Sequence, residues 1–540
     1  MLVASEICWR ETKHVINPTS SLTRQKIWPP AFGAFRSNGI FKSIMRRFIG
    51  SAIYRACASS AKHAQGGFHA HSLDLKCEQR RMLHHAKQLL QKEKIVKPPF
   101  IPFLTPPEEE DLDYHNYQRT TAKDISSLTE LPTRSKMLVR DFIDNSLYNP
   151  NYGYFSKQAV IFSPEQDFEF SQIRDHLHFM NLISKKYKEI EGDVDEVDEV
   201  ARQVWHTPTE LFKPWYGYAI AKYLVTEYKL NLYPNKDLII FEMGAGNGTL
   251  MLNILDYIQK YEPSVYKRTR YNIIEISQKL AERQYERHDV RETQHKHHCV
   301  EIIHKSIFDW DIDVEDDCFF VGMEVIDNFA HDLIRYDTET MQPFQALVSI
   351  DDKGNYSEIY EPVGNDALIS RYLALRKSTM YRTPVLNHHL LQRIINMLPF
   401  SPNLSAPEFI PTKLLLLLET LNKRFPKHRL VLSDFSSLPN SIEGVDAPVV
   451  QTRYKGTMVP CSTYMVQPGW FDIFFPTNWE LLRDMYLSIC RGSRAGNDKS
   501  VKVLTHKDFC KRYGEIDRTK TQSGENPMLM YYQNVKMLLT

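Results

Sequence analysis

The chain has 540 residues, enough for three or four domains of roughly 150 residues each or for one elaborated α/β domain with additions. Its 67 Lys and Arg nearly balance its 66 Asp and Glu, giving a net charge of +1, and no apolar run approaches the ~20 residues of a membrane-spanning helix. Residues 1–73 hold ten of the basic and two of the acidic side chains, so residues 74–540 carry 57 − 64 = −7 and present no field for nucleic acid.

From residue 12 to residue 73 there is no acid, and Arg and Ser recur, the composition of a mitochondrial transit peptide; a leader over 1–73 is expected, with a matrix destination. Its clearest piece is MRRFIGSAIYRACASSAKHA (45–64), where Arg46, Arg47 and Arg55 alternate with Phe48, Ile49, Ile53 and Tyr54 at roughly helical spacing. The methionine that opens it predicts translation from Met45. Residues 74–94 read as a charged helix, 97–107 as a proline-rich spacer and 108–113 as an acid run, so 74–130 is expected to be a helical segment with an exposed linker. Within the next segment, 131–205, the run EIEGDVDEVDE (189–199) predicts a surface insertion.

The chemistry is concentrated in a core expected over 206–365. Leu238, Ile239, Ile240 and Phe241 form a short apolar run suited to a strand covered on both faces. Gly244, Ala245, Gly246, Asn247 and Gly248 follow, and Leu250, Ile254, Leu255 and Ile258 then recur at helical spacing. A glycine loop between strand and helix lets the backbone approach a nucleotide. Dinucleotide loops run G-x-G-x-x-G, whereas this one runs E-x-G-x-G-x-G from Glu242. It resembles the first motif of class I methyltransferases, whose ligand is S-adenosylmethionine, and an acid ahead of the glycines suits the cationic methionine end of that molecule.

A second strand, RYNIIEI (270–276), ends at Glu275, a carboxylate able to accept from both ribose hydroxyls. A third, 300–304, leads to Ser306 and Asp309, where an adenine contact falls. The fourth, CFFVGM (318–323), runs into Glu324, Val325, Ile326, Asp327, Asn328 and Phe329. Because open α/β sheets bind ligands at the carboxyl ends of strands, these acids are expected on one rim. Each also reads singly as a solvated loop acid, and Asp327 equally as a helix N-cap.

TPTELF (207–212), FEMGAGNGTL (241–250), NIIEIS (272–277) and MEVIDNF (323–329), in this order, are similar to the MidA-type methyltransferases. RDFIDNSLYNPNYGYFS (140–156), the hairpin-like stretch 333–362 and the strand RLVLSDF (429–435) extend the likeness over roughly 137–435. The resemblance implies a class I, Rossmann-like doubly wound sheet that binds S-adenosylmethionine, with residues 366–540 supplying a helical insertion and completing the catalytic domain. It further implies a mitochondrial protein arginine N-methyltransferase of the symmetric type, acting on a protein substrate such as a complex I subunit in assembly of that complex. In that reading Glu324 and Asp327 are catalytic. Glu242, Gly244, Ala245, Gly246, Gly248, Glu275, Ser306 and Asp309 hold the cofactor, Thr207 and Glu210 contact the substrate, and no metal takes part. A guanidinium is a permanent cation with a planar fork of donors, which paired carboxylates suit.

The chain departs from that family at Gln203, Val204, Trp205 and His206, where Gly-Asp-Phe is usual, and in the order of Pro208 and Thr209. Met323 stands for an Asn, and Ala330 and His331 occupy the place of a Pro. These changes keep open a non-catalytic assembly protein on the same fold, or a small-molecule methyltransferase. No Asn/Asp-Pro-Pro-Tyr loop occurs, which argues against adenine or glutamine as acceptor. The eight cysteines show no C-x-x-C and read as reduced thiols, with Cys461 expected to be buried and structural. His295, His297 and His298 beside Cys299 predict a solvated loop. Residues 387–423 read as mainly helical, with a break near 399–411, and the aromatic run 448–476 as chiefly core packing.

Overall fold

A computed structural model describes residues 112–540 apart from 158, 165, 192–202, 290–296, 365, 382, 384–402, 440–446, 455–456 and 491–500. The expected leader, the charged helix and its spacer, and most of the acidic insertion lie outside the described residues, as do His295 and the first half of the predicted helical stretch 387–423.

Seven strands form the central sheet: β1 Leu238–Met243, β2 Thr269–Glu275, β3 Val300–His304, β4 Cys318–Met323, β5 His428–Phe435, β6 Lys502–Thr505 and β7 Val535–Leu539. Their order is β6-β7-β5-β4-β1-β2-β3. β1 through β5 run parallel, and β7 enters antiparallel to both β5 and β6. Leu238 lies opposite Thr269 and Glu242 opposite both Ile273 and Val321, so the tips of β1, β2 and β4 end level.

Side-chain alternation explains why these runs are strands buried on both faces. Leu238, Ile240, Tyr271, Ile273, Phe319, Val321 and Val431 enter one apolar core, and their neighbours Ile239, Phe241, Ile274, Phe320, Leu430 and Leu432 enter a second one. Among the described helices are, in chain order, α1 Val139–Tyr148, α2 Trp215–Asn231, α3 Thr249–Tyr261, α4 Gln278–Asp289, α5 Ala367–Ser378, α6 Thr412–Arg424, α7 Trp479–Cys490 and α8 His506–Tyr513, and His176–Glu191 forms a further helix of 16 residues. The first core takes residues from α2, α3, α4 and α8, and the second from α5, α6 and α7. This is the doubly wound α/β architecture that the glycine loop and strand spacing predict.

The described residues form three further sheets, the smallest a parallel pair of Ala159–Ile161 with Gln203–Trp205. Gln118–Arg119, Ser135–Leu138, Asp332–Tyr336, Pro343–Ile350, Tyr356–Pro362 and Glu408–Ile410 form a six-stranded sheet whose central part is an antiparallel meander, as expected for 333–362. Val449–Tyr454, Thr457–Cys461 and Asp472–Phe474 make a smaller antiparallel sheet. α1 packs Phe142, Ile143 and Leu147 into a third core shared with Leu333, Val348, Ile473 and Phe475. Arg140 on α1 reaches Asp332 at 2.8 Å and Asp366 at 2.7 Å, joining α1 to the meander and to the cap of α5.

Three expectations need adjustment. His297 is 1% exposed, bonded to Tyr266 Oη at 2.7 Å and Asp256 Oδ1 at 3.2 Å, because α3 and the residues after it supply polar partners that sequence spacing does not reveal. Cys461 is half-buried, since it ends a strand at one side of the small sheet. In the aromatic run Phe474 and Phe475 are buried as expected, whereas Trp470 is 47% exposed. The second half of the predicted helical stretch is α6, with Leu414, Leu415, Leu417 and Leu418 on its buried face. Among the described residues no helix is long and apolar enough to cross a membrane.

Gly469 has φ +82°, its N–H donates to Ser146 O at 3.1 Å, and a Cβ there would collide with the Tyr152 carbonyl. Only glycine permits both this turn and this approach. Gly469→Ala is expected to cost about 2–4 kcal/mol in a urea unfolding titration, through backbone strain and displacement of the small sheet from α1.

Candidate functional site

The glycine loop is built by sterics as much as by flexibility. Gly244 and Gly246 have φ of +69° and +54°, and a Cβ on Gly246 would lie 2.6 Å from Ile161 Cδ1. Gly248, at φ +76°, is the N-cap of α3. Glu210 fastens the loop from below: its Oε1 accepts from Thr249 Oγ1 at 2.7 Å and Asn247 Nδ2 at 3.1 Å, and its Oε2 from Lys213 Nζ at 3.3 Å. Gln284 Nε2 on α4 donates to Gly246 O at 2.8 Å and to Glu275 Oε2 at 3.0 Å, linking the loop to the tip of β2.

Above these tips lies a cavity of about 880 Å³, within the roughly 300–1,000 Å³ usual for small-molecule sites. It is lined by Glu242, Gly244, Ala245, Gly246, Glu275, Ser306, Asp309, Glu324, Asp327, Thr207 and Glu210, so every residue singled out from sequence is present except Gly248, which faces Gln284 instead. α1 closes the other side with Asn145 and Tyr148. Thr207 caps the short helix Pro208–Leu211, and Ser306 caps the turn Ile307–Asp309. Asp309 faces solvent and pairs with Lys123 at 3.6 Å.

Glu275 and Glu242 are both almost fully buried. Glu275 Oε1 accepts from the Ser277 N–H at 2.9 Å, and Tyr271 Oη donates to Glu242 Oε2 at 2.8 Å. Burial pushes the Glu242 carboxyl up to about 7 against that hydrogen bond, with Glu275 adding to the rise. A low-dielectric pocket whose carboxylates are reluctant to ionise alone favours a cationic guest.

The loop after β4 is the second feature. Glu324 takes φ +54°, its N–H bonded to Ser433 O at 2.8 Å. Asp434 at the tip of β5 accepts backbone N–H groups from Ile326 at 2.9 Å, Asp327 at 3.1 Å and Phe435 at 2.7 Å. No helix begins at Asp327, so its N-cap alternative falls away. Glu324 Oε1 and Asp327 Oδ1 are instead buried without a hydrogen-bond partner. Asp472, from the small sheet, lines the same cavity and accepts from Asn328 Nδ2 at 2.9 Å. Burial raises Asp434 to about 7 and Asp472 to about 8, and holds Glu324 and Asp327 well above the usual carboxylate range, with Asp434 adding repulsion to both. None of these four acids forms an ion pair with a described residue.

Sequence reading missed Asp434 and Asp472. Asp434 closes the apolar run RLVLSDF, a position equivalent to Glu275 and Glu324 on their strands, and that equivalence could have found it. Asp472 carries no local signal, because its partner Asn328 is distant in sequence.

A doubly wound sheet with glycines of positive φ after β1 and a buried acid at the tip of β2 defines a nucleoside-binding α/β enzyme fold. The profile of a family of S-adenosyl-L-methionine-dependent methyltransferases matches residues 219–496, just over half of the chain. The chain belongs to that family, and S-adenosylmethionine is its cofactor. It is similar to a Schizosaccharomyces pombe protein named as a mitochondrial homologue of the protein arginine methyltransferase NDUFAF7, at 26% identity over 344 residues, 58% of this chain and 67% of the relative. Among solved structures, a Burkholderia thailandensis protein bound to S-adenosyl-homocysteine aligns with TM-score 0.46 and 13% identity, covering 77% of this chain and 89% of that one. The glycopeptide N-methyltransferase MtfA bound to S-adenosyl-L-methionine aligns with TM-score 0.25 and 9% identity, covering 60% and 92%. The residues fit the cofactor: a loop whose positive φ at Gly244 and Gly246 leaves bare backbone lining the cavity, and buried carboxylates beside it.

Because the folded Glu242 carboxyl titrates near 7 and an unfolded one near 4.5, stability is lost as pH rises between those values. Glu242→Gln removes that loss. Without cofactor, urea titrations of the variant should gain on the wild type by about 1 kcal/mol per pH unit from pH 5 to 7 and stay level above.

Proposed function

We propose that this chain is a protein arginine N-methyltransferase of mitochondria, with Glu324 and Asp327 as the groups that receive the acceptor. The observation that carries the reading is the pair of buried, partnerless carboxylate oxygens of these residues, opening on the same cavity as the glycine loop and Glu275. Uncompensated buried acceptors are costly, and a guanidinium offers five N–H donors and a permanent positive charge to satisfy them. Residues 206–365 form the cofactor half in this reading, and 366–540 complete the acceptor half.

Gly244, Ala245 and Gly246 cradle the methionine portion of the cofactor, Glu242 lies toward its ammonium, and Glu275 accepts from the ribose. Ser306 and Asp309 stand where the adenine reaches the cavity edge. Gly248 and Glu210 act indirectly, by starting α3 and by holding the loop. When bound, S-adenosylmethionine supplies a methyl group whose bond to the sulfonium breaks, the electron pair staying on sulfur, as a bond to nitrogen forms. Glu324 and Asp327 orient the guanidinium in line and disperse the charge that develops on it. The nitrogen gives up one proton in exchange, so a carboxylate must take it.

Mitochondrial location rests on the acid-free residues 12–73 and on the S. pombe relative's name; a part in complex I assembly, with the symmetric type of methylation, rests on the family resemblance. The competing reading, a non-catalytic assembly protein, draws on the altered motifs over Gln203 to Glu210 and at Ala330 and His331. His331, however, is buried and stacked on Phe475 at 3.7 Å, outside the cavity lining, so its departure leaves the site's acids in place.

Glu324→Gln is expected to lower methyl transfer about 10²–10³-fold while cofactor affinity stays within about twofold. Glu275→Ala should weaken cofactor binding about tenfold or more, measured by calorimetry. The decisive experiment is methyl transfer from labelled cofactor into a mitochondrial lysate, with the modified residue located by mass spectrometry. Arginine label that disappears with Glu324→Gln supports the reading; label on lysine, or unaltered transfer by the variant, overturns it.

A further inference from the structure

Asp472 lies outside every motif of the resemblance and reaches the cavity from the small C-terminal sheet. Three hydrogen bonds dock its segment against the loop after β4: Asn328 Nδ2 donates to Asp472 Oδ1 at 2.9 Å and to Ile473 O at 3.0 Å, and the Phe475 N–H donates to Asp327 O at 2.7 Å. The carboxylate is 3% exposed and lines the cavity with Glu324 and Asp327. Asp434, the fourth acid, is directed at three backbone N–H groups and takes no part in the lining.

We propose that Asp472 is the proton acceptor of the site, taking the proton that the acceptor nitrogen loses on methylation. This rests on the arginine-methyltransferase reading above. The division of labour follows from geometry. Glu324 and Asp327 hang on the β4 loop with oxygens that lack donors, which suits them to grip N–H groups. Asp472 stands on a separate element, fixed through Asn328 beside Asp327, so it can face the same guanidinium from another side.

The balance is closed. A guanidinium and a sulfonium each bring one positive charge; the nitrogen–methyl bond forms, the sulfur–methyl bond breaks, and a methylguanidinium, a neutral thioether and one proton result. The Asp472 carboxylate takes that proton, and the neutral acid then returns it to water as product leaves. Asp327 on the β4 loop and Tyr148 on α1 are the groups that feel the Asp472 charge, while Glu324, Asp144 and Lys413, the last already neutralised by Asp144 at 2.8 Å, line the same cavity. The carboxyl titrates near 8 as a result of its burial, which matches a base working close to neutral pH.

Asp472→Asn keeps an oxygen to accept from Asn328, so it separates proton transfer from scaffolding. With an arginine peptide, kcat should fall about 100-fold, S-adenosyl-homocysteine affinity should stay within twofold, and the rise of kcat/KM toward pH 8 should vanish. A variant with near-normal kcat and an unchanged pH profile would overturn the proposal. If the variant loses cofactor binding, the wild-type profile decides: kcat/KM for the peptide that rises through pH 8 toward a plateau above about pH 9 supports it, and a flat profile from pH 6 to 9 rejects it. No transfer to arginine by the wild type would instead refute the substrate reading on which this rests.

Discussion

The site depends on one carboxylate that touches no ligand. Asp434, at the tip of β5, accepts three backbone N–H groups, two of them from the loop after β4. Those bonds hold Ile326 and Asp327 against the sheet while Glu324 takes a left-handed conformation that a side chain normally avoids, at a cost of about 1–3 kcal/mol. The loop can then present two buried carboxylates to the cavity. Without Asp434, the β4 loop would be free to turn its acids outward, where water would satisfy them and the electrostatic demand for a cation would disappear.

The proposed cofactor and acceptor halves have different origins in the chain. β1, β2 and the glycine loop come from one continuous stretch, and α4 braces it through Gln284. The acceptor wall is assembled from distant pieces: α1, the β4 loop, β5 and the small sheet. Gly469 ties the segment before the last strand of the small sheet to α1, and Arg140 ties α1 to the meander and to the cap of α5.

That difference explains what could be read in advance. Glu242, Gly244, Gly246 and Glu275 were legible because a local constraint writes them: an apolar strand, a turn of positive φ, a helix start. Glu324 and Asp327 were legible for the same reason, as acids after an apolar run. The central fold followed from the same runs, since a strand buried on both faces leaves a continuous apolar signature. Asp472 was not legible, because its position is set by a hydrogen bond to Asn328 across a long separation. Glu210 was read as a substrate contact by resemblance, and its use beneath the loop shows only once Asn247 and Thr249 are seen to reach it. His297 failed the opposite way, its neighbours in sequence being polar while its neighbours in space enclose it.

The order of strands in the sheet differs from their order in the chain in one consequential place. β7, the last strand in sequence, is inserted between β5 and β6. Until residues 535–539 emerge, the edge of β5 beside Val431, Leu432 and Phe435 has no neighbour. A chain made from its amino end therefore carries an open, apolar sheet edge from the completion of β5 at residue 435 until residues 535–539 follow, the very surface that strands of other chains can add to. Closure is a terminal event. A loss of only the final few residues would leave the glycine loop intact in sequence and yet expose the centre of the molecule.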